Sequence, residues 1–336
     1  MANYHFTSDN TSGAHPTVMQ AIVDANKGTR KSYGADDTTK AIEAKFSELF
    51  EHKVRAFLVA TGTAANALAI AQLVKPWGSV LCHKTAHIME DECGAPEFFS
   101  AGAKLITIEG ENGKFSADTL HKKLNGAEHG APHVSPIQAI SISQATEYGT
   151  AYSLDELRAL TKIAKQFNLP VHMDGARFSN VLARTNSSAA EMTWKSGIDV
   201  LSFGMTKNGA LAAEAVIFFN PEQAEDFEYR RKRSGHLLSK HRLLVAQTEA
   251  MLTHNLWMEN AKHANAMADY LVEKAKLKLA YPVQANEVFF YMPSALAEKL
   301  HARGHEFYKW GDEDVYRFVC SFATTTEQID ALVKDF

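Results

Sequence analysis

Asp174 and Lys207 are two residues whose types and positions predict covalent cofactor chemistry. Residues 169–173 form an apolar run that ends at Asp174, and residues 198–203 form another shortly before Lys207. Such runs are typical of buried parallel strands, and ligands of open α/β sheets bind beyond the carboxyl ends of these strands. In pyridoxal phosphate enzymes an aspartate keeps the pyridine nitrogen protonated, and a lysine holds the aldehyde as a Schiff base. The pair therefore predicts a pyridoxal phosphate site with Asp174 and Lys207 as catalytic residues.

The segment Thr61-Gly62-Thr63-Ala64-Ala65-Asn66 joins a predicted strand to a predicted helix. The first backbone N–H groups of a helix lack partners within the helix, so they can bind a phosphate together with the Thr63 hydroxyl. A capped helix after a glycine turn is the structural alternative. Because Asp174 and Lys207 occur in the same chain, we favour the phosphate site.

His87 follows the predicted strand at 79–82 and is expected at the same edge of the sheet. An imidazole there can stack on the pyridine ring or move protons near neutral pH. A solvated loop histidine is the alternative interpretation.

Two arginines have the chemistry to hold a substrate carboxylate. Arg177 lies three residues after Asp174, and Arg317 lies in the late apolar segment 314–322. A guanidinium group binds a carboxylate through two parallel hydrogen bonds. A buried charge needs a partner, and a protein carboxylate is the alternative partner for Arg317.

The segment 230–233, Arg-Arg-Lys-Arg, is the densest positive run of the chain. Such a run is usually a solvated face. It is also consistent with a helix end that meets phosphate, or with a contact between subunits.

Composition bounds the class of protein. The 336 residues are 46% hydrophobic and 22% charged, which predicts a globular protein with one large and one smaller domain. A net charge of −4 gives no basic field, so we expect no nucleic-acid partner. The three cysteines have neither metal-type spacing nor an even count, which predicts a reducing compartment and no metal site. Without a signal-like N-terminus or an apolar run of about 20 residues, we expect a cytoplasmic protein with no membrane contact.

Strand and helix signals alternate along most of the chain, which predicts an α/β fold with a mostly parallel sheet between two helix layers. The mostly helical stretch at 221–276 is followed by a tail that predicts a small α+β domain. We expect a large domain at residues 1–250 and a small C-terminal domain at residues 251–336. Predicted strands span 56–60, 79–82, 104–108, 137–143, 169–174, 198–203, 215–219, 287–292 and 315–322. Predicted helices span 40–51, 63–74, 117–124, 154–167 (capped by Ser153 and Glu156), 294–303 and 326–336.

The motifs together resemble those of the low-specificity L-threonine aldolases, which are fold-type I pyridoxal phosphate enzymes. The resemblance covers most of the predicted large domain. Its motifs are Ser8-Asp9, Ser32-Tyr33-Gly34-Ala35-Asp36-Asp37, the 61–66 segment, Ala86-His87, His172-Met173-Asp174-Gly175-Ala176-Arg177 and Thr206-Lys207.

The resemblance implies the fold-type I architecture with a seven-stranded sheet, and a homodimer or homotetramer with its active site at the subunit interface. It implies that Lys207 binds the cofactor covalently, that Asp174 contacts the pyridine nitrogen and that His87 covers the ring. The implied cofactor-binding set is Gly62, Thr63, His87, Asp174, Arg177 and Lys207. The implied substrate-binding set is Ser8, Arg177 and Arg317.

Two stretches depart from the family pattern. Many members carry a histidine in a Thr-His-Asn stretch after the mid-sheet strand, whereas this chain reads Gln-Ala-Thr-Glu-Tyr-Gly at 144–149. The base that accepts the β-hydroxyl proton is therefore open between His87, Glu147 and a water molecule. The lysine lies in Met-Thr-Lys-Asn-Gly rather than the common Ser-Lys-Gly-Leu, so the phosphate contacts of that loop cannot be transferred.

The resemblance implies cleavage of β-hydroxy-α-amino acids into glycine and an aldehyde. An aminotransferase or β-eliminating lyase of the same fold would share Asp174 and Lys207. A pyridoxal phosphate-binding protein without turnover is a third alternative, against which both arginines argue because it needs no carboxylate clamp.

Overall fold

The structure is a computed structural model that describes residues 4–127, 130–311 and 313–336. Within these residues, strands and helices alternate over most of the chain. The strands are β1 (Tyr4–His5), β2 (Arg55–Val59), β3 (Ser79–His83), β4 (Lys104–Ile108), β5 (Ile137–Ser143), β6 (Val171–Gly175), β7 (Val200–Gly204), β8 (Glu214–Phe218), β9 (Glu287–Tyr291), β10 (His305–Glu306), β11 (Tyr308–Lys309) and β12 (Val315–Val319). The α-helices are α1 (Pro16–Ala25), α2 (Asp37–Leu49), α3 (Gly62–Leu73), α4 (His87–Glu90), α5 (Ala95–Phe99), α6 (Ala117–Asn125), α7 (Leu154–Gln166), α8 (Phe178–Thr185), α9 (Ala189–Met192), α10 (Phe227–Arg233), α11 (Arg242–Leu252), α12 (Leu256–Ala275), α13 (Ser294–Ala302) and α14 (Thr326–Lys334).

The large sheet has seven strands in the order β2-β8-β7-β6-β5-β3-β4. The pairings among β4, β3, β5, β6 and β7 are parallel, whereas β8 is antiparallel to both β2 and β7. Only residues 205–213 connect β7 to β8, and this is too short for the crossover that a parallel pair needs. The predicted α/β class with a mostly parallel, seven-stranded sheet is confirmed.

Helices cover both faces of this sheet. One face carries a core of phenylalanines around Phe203, whose ring centroid lies 5.8 Å from that of Phe46 and 5.9 Å from that of Phe178. The other face carries α3, which is apolar on nearly all sides and therefore buried along most of its length. None of the helices in the described part of the chain has both the length and the apolar character that a bilayer span requires.

The predicted cap of α7 is present. The Ser153 hydroxyl accepts a hydrogen bond from the Glu156 backbone N–H at 3.2 Å, and the Glu156 carboxylate accepts one from the Ser153 N–H at 2.7 Å. This reciprocal arrangement satisfies two N–H groups that the helix leaves free. It fixes the start of the helix that leads into β6, the strand that carries Asp174.

The C-terminal part forms a second, smaller core. Strands β11, β12 and β9 make an antiparallel sheet in that order, and α12, α13 and α14 pack beside it. Helix α12 contributes Trp257 to the large core and Leu271 to the small one, so the predicted division near residue 250 stays a prediction. Strands β10 and β11 have two residues each, too few for the alternation that predicts a strand.

Residues 4–15, which we call the N-terminal segment, run from the small core to the large sheet. Strand β1 pairs with β10, and Phe6 belongs to the small core. The Ser12 hydroxyl lies 2.7 Å from the Ser321 hydroxyl, and the His15 N–H donates to the Gly209 carbonyl at 2.8 Å. The segment therefore reaches the loop that carries Lys207.

Candidate active site

A cavity of 360 Å³ lies at the carboxyl ends of β5, β6 and β7. This is the edge of an open α/β sheet at which ligands bind. Among the residues that line it are six predicted site residues: Gly62, Thr63, His87, Asp174, Arg177 and Lys207. Ser8 and Arg317 do not line this cavity; Arg317 belongs to the ion-pair cluster described below, and Ser8 lies next to that cluster.

Asp174 lies near the end of β6 and is 5% exposed. One carboxylate oxygen, Oδ1, accepts a hydrogen bond from the Ala176 N–H at 3.0 Å, and Oδ2 accepts one from the Asn66 side-chain amide at 2.8 Å. Each oxygen retains a further lone pair that can accept a hydrogen bond from a ligand N–H group. The carboxylate is therefore fixed in direction and still able to bind a protonated ring nitrogen.

Lys207 lies in a short 3₁₀ turn, Thr206–Asn208, directly after β7. The Glu214 carboxyl holds this turn because Oε2 accepts the Met205 N–H at 2.7 Å, and burial raises the pKa of Glu214 to about 7. The turn is also tied to α12, since the Asn208 side chain donates to the Trp257 carbonyl at 2.7 Å. Within the residues that the structure describes, the Lys207 amine has neither a hydrogen-bond partner nor an ion-pair partner. Such an amine can react with an aldehyde.

Helix α3 starts at the cavity. Its N-terminal cap is Thr61, whose hydroxyl accepts the Ala64 N–H at 3.1 Å. The backbone N–H groups of Gly62 and Thr63 have no partner in the described part of the chain. These free donors and the positive end of the helix dipole suit a phosphate.

His87 begins α4 and lines the cavity together with its buried partner, Glu92. The imidazole Nδ1 lies 2.9 Å from Glu92 Oε1. This hydrogen bond raises the pKa of His87, with burial acting in the other direction, whereas burial raises the pKa of Glu92 itself. Asn66 donates to the same Glu92 oxygen at 2.8 Å.

Glu147 also lines the cavity, from the loop after β5. Burial raises the pKa of this carboxyl to about 7; the nearby Lys207 charge lowers it and Glu287 raises it. Within the described ranges no residue forms a hydrogen bond with the Glu147 side chain. A partly protonated carboxyl group near neutral pH can both accept and donate a proton.

The two arginines of the predicted carboxylate clamp are paired with protein carboxylates. Arg177 is 7% exposed and donates to both oxygens of Asp9, from Nε at 2.8 Å and from Nη2 at 3.0 Å. Glu287 Oε1 lies 3.3 Å from Arg177 Nη1 and 3.7 Å from Arg317 Nη1. Arg317 Nη2 also donates to the Thr7 carbonyl at 3.1 Å. Glu287 thus bridges the two guanidinium groups directly behind the cavity.

Ser8 lies next to this cluster. Its hydroxyl accepts a hydrogen bond from the Asn10 N–H at 3.1 Å and lies 3.4 Å from Asp9 Oδ1. The serine therefore caps the short turn that presents Asp9 to Arg177.

Sequence reasoning gave no role to Glu92, Asn66, Asp9 or Glu287. Asn66 and Asp9 lie inside motifs that were noted for other residues, Glu92 lies five residues after His87, and nothing in a linear motif shows which side chains meet. Glu287 does carry a signal, because a single acid at the start of the apolar strand β9 needs a buried cation as its partner.

The basic run at 230–233 is not uniformly solvated. Arg231 is 7% exposed and its guanidinium lies 5.4 Å from the centroid of the Phe57 ring. Arg230 donates to the Gln72 side chain at 2.8 Å. At least two of its four cations thus have partners within the chain, and a role in phosphate or subunit contact stays a prediction.

Comparison with known proteins gives consistent matches over nearly the whole chain. A family model described as beta-eliminating lyase matches residues 5–295. The chain is 42% identical to the low specificity L-threonine aldolase of Pseudomonas aeruginosa over 337 aligned residues, which cover 98% of this chain and 96% of that protein. A threonine aldolase structure from Leishmania major superposes with a TM-score of 0.92 at 26% identity, covering 98% of each chain. An aspartate aminotransferase from Thermus thermophilus shares the fold, with a TM-score of 0.71 at 15% identity, covering 99% of this chain and 91% of that one.

Proposed function

This chain belongs to the beta-eliminating lyase family, and on that premise we propose that it is a low-specificity L-threonine aldolase. It cleaves L-threonine, L-allo-threonine and other β-hydroxy-α-amino acids between Cα and Cβ, reversibly, to give glycine and an aldehyde. One observation carries this proposal: Asp174, which is buried, and Lys207, whose amine has no partner among the described residues, line one cavity in a chain that is 42% identical to such an aldolase.

The cofactor of this reaction is pyridoxal phosphate. The donor set of the cavity suits it: Lys207 for the aldehyde, the Asp174 carboxylate for the pyridine nitrogen, and the free N–H groups of Gly62 and Thr63 for the phosphate. His87 lines the same cavity and supplies a ring that can cover the pyridine face. When bound, the cofactor withdraws electrons from the substrate Cα as the bond to Cβ breaks.

Each protein residue has a defined task in this cleavage. A base takes the proton of the β-hydroxyl, the Cα–Cβ bond breaks, the electron pair stays on Cα, and Cα then receives a proton to form glycine. Arg317 and Arg177 set the orientation of the substrate carboxylate, which decides which bond of Cα is broken. Arg177 lines the cavity but is paired with both Asp9 and Glu287. Arg317 lies outside the cavity lining, with Glu287 at 3.7 Å, and we propose that it exchanges this longer pairing for the substrate carboxylate.

We propose His87 and Glu147 as candidates for the proton transfer, because both are titratable and both line the cavity. Glu147 lies in the loop where many family members carry a histidine, and its pKa of about 7 fits the exchange of a proton at neutral pH. A water molecule between them is the third candidate. The reaction needs only one group to accept the hydroxyl proton.

The test of this function is aldehyde release from L-threonine by the purified protein with added pyridoxal phosphate. Lys207→Ala is expected to abolish release, and Lys84→Ala is the matched control because Lys84 is exposed and lies outside the cavity. Glycine and aldehyde in equal amounts support the aldolase. A keto acid or ammonia as product instead identifies an aminotransferase or a β-eliminating lyase, and cofactor binding without any product identifies a binding protein.

We further propose a homodimer or homotetramer that works in the cytoplasm. Helix α1 exposes Met19 at 41% and Val23 at 53%, which gives this face an apolar surface for a second copy. The three cysteines are free thiols, as suits a reducing compartment. Light scattering after size-exclusion chromatography measures the assembly, and a monomer at micromolar concentration would contradict it.

A further inference from the structure

Two side chains, those of Glu92 and Asn66, join His87 to the Asp174 carboxylate, and all four residues line the cavity. His87 Nδ1 lies 2.9 Å from Glu92 Oε1, Asn66 Nδ2 lies 2.8 Å from the same oxygen, and Asn66 Nδ2 lies 2.8 Å from Asp174 Oδ2. The two hydrogens of the Asn66 side-chain amide are thus donated to two different carboxylates. The Glu92 side chain is completely buried, although Glu92 also belongs to the lining of the cavity.

The donors and acceptors of this network fix the direction of the imidazole. A Glu92 carboxylate can only accept, so the hydrogen bond to His87 requires a proton on Nδ1. The second nitrogen, Nε2, has no hydrogen-bond partner within the described residues. Since His87 lines the cavity, Nε2 is the nitrogen that is available to a bound reactant.

The burial of Glu92 reduces the stability of the folded protein, which would not be expected of a residue with a purely structural role. Its second oxygen, Oε2, is buried and has no hydrogen-bond partner in the described part of the chain. A buried carboxylate with one unsatisfied oxygen is destabilising. Such a group persists when it serves a neighbouring charge, as the acid of a Ser-His-Asp triad serves its histidine.

We propose that Glu92 is the positioning residue of His87, and that Asn66 joins this pair to Asp174 in one hydrogen-bonded network. Glu92 keeps Nδ1 protonated, which leaves Nε2 free to accept a proton from the reactant. The imidazolium that forms is stabilised by the Glu92 carboxylate until Nε2 returns the proton to the reactant. This role rests on the proposed aldolase function for its substrate, whereas the state of His87 is a property of the protein itself.

The charges around His87 agree with this role. The Glu92 hydrogen bond, Asp174 and Glu147 raise the pKa of His87, whereas burial and the Lys207 charge lower it. Because Glu92 has the largest effect, loss of its charge is expected to lower the pH at which the imidazole gains its proton.

The direct test is the titration of His87 by NMR in the full-length, ¹⁵N-histidine-labelled protein, with and without pyridoxal phosphate. The His87 signal is assigned by its absence in His87→Asn. In the wild type, the neutral ring is expected to carry its proton on Nδ1. Glu92→Gln is expected to lower the His87 titration midpoint by about 1 pH unit, as for loss of an opposite charge within about 4–6 Å.

Activity gives a second readout. Glu92→Gln is expected to reduce kcat for aldehyde release about tenfold or more, with little change in KM, because general acid–base catalysis contributes about 10²-fold or more. Glu92→Asp is expected to recover part of the loss, since it restores the charge. Glu90→Gln is the matched control because Glu90 is exposed and lies on the helix that begins at His87.

Two results would overturn the proposal: a neutral wild-type His87 protonated on Nε2, or an unchanged midpoint in a folded Glu92→Gln protein. If that variant does not fold, the tautomer of His87 in the wild-type protein is the result that tests the proposal. If the His87 titration midpoint depends on Glu92 but the protein releases no aldehyde, the hydrogen-bonded network is supported and the proposed function is contradicted.

Discussion

Glu147 and Glu214 show how burial sets the charge of the cavity. Burial raises the pKa of each to about 7, so both carry fractional charge near neutral pH. Both lie near Lys207, whose charge lowers the two pKa values. The charge around the lysine therefore changes over the pH range in which the protein is expected to work.

Glu147→Gln is expected to gain stability relative to the wild type as the pH rises. A folded-state pKa above the ordinary 4.5 means that the folded protein binds more protons than the unfolded chain between pH 4.5 and 7. Wild-type stability therefore falls as pH rises through this range, by at most about 3 kcal/mol at 1.36 kcal/mol per pH unit. Denaturant unfolding of both proteins at pH 5 and pH 8, in the same cofactor state, measures the difference.

The control for this prediction is Glu109→Gln, an exposed acid outside the cavity, which is expected to show the same pH dependence as the wild type. An equal stability difference between Glu147→Gln and the wild type at both pH values would contradict the prediction.

At the residue scale, the sequence identified the groups that act through their own chemistry. The positions of Lys207 and Asp174 at strand ends, and of His87 after a strand, placed them at one sheet edge, where the structure has them. Glu287 was missed because its partners, Arg177 and Arg317, are distant in the chain, and Glu92 was missed because the sequence does not show that its side chain turns back to His87. Arg177 was expected to face a substrate, and the structure shows its guanidinium paired with Asp9.

The short turn at the start of the chain, the end of β6 and the start of β9 meet at one buried ion-pair cluster. Asp9 lies in the short turn, Arg177 follows β6, and Glu287 is the first residue of β9. Burial alone would raise the pKa of Asp9, but the Arg177 charge holds it below its usual value. The cluster thus ties three elements from two cores together behind the cavity.

Asp9→Asn is expected to destabilise the protein by about 3 kcal/mol, since removing one partner of a buried pair leaves an uncompensated charge. Asp269→Asn is the matched control. Asp269 pairs with Arg184 through two hydrogen bonds, but it is about half exposed, so its loss should cost less than about 1 kcal/mol. Chemical denaturation at pH 7 measures both values, and equal losses would contradict the assignment of the Asp9 pair as the stronger one.

At the scale of the strands and helices, the sequence predicted the bounds of an element well where its apolar pattern is long. Strands β4 and β5 have their predicted bounds, and α7 differs by one residue, because apolar runs and caps mark them directly. The orientation of β8 was not predictable from its own residues, because it depends on the length of the connection from β7. The helical stretch at 221–276 is interrupted at 234–241, where Gly235 has a φ of 83° that ends α10.

At the scale of the whole molecule, the N-terminal segment connects the small C-terminal core to the large sheet. Phe6 is 1% exposed and lies in the small core, with its ring centroid 6.3 Å from that of Phe318. From there the segment continues past Arg177 to the Gly209 carbonyl. Packing in the small core therefore bears on the position of the Lys207 loop.

Phe6→Ala is expected to destabilise the protein by about 3 to 5 kcal/mol through the cavity that it leaves. It is also expected to raise the KM for L-threonine, because Thr7 and Asp9 then lose their fixed position against Arg317 and Arg177. Phe98→Ala is the control, since Phe98 is 78% exposed, and it should change stability by no more than about 0.5 kcal/mol. Thermal melts and steady-state kinetics measure the two effects. A Phe6→Ala protein that is destabilised but has an unchanged KM would contradict the expected coupling between the small core and the active site.

The path of the N-terminal segment also sets an order of events during synthesis. Residues 4–7 and Ser12 have partners at 305–321, so they reach their final contacts only after that later part of the chain has been synthesised. At about 5 to 20 residues per second, Phe6 waits roughly 15 to 60 seconds for the strand that covers it. During that time the Phe6 side chain lacks the small core that buries it in the folded protein.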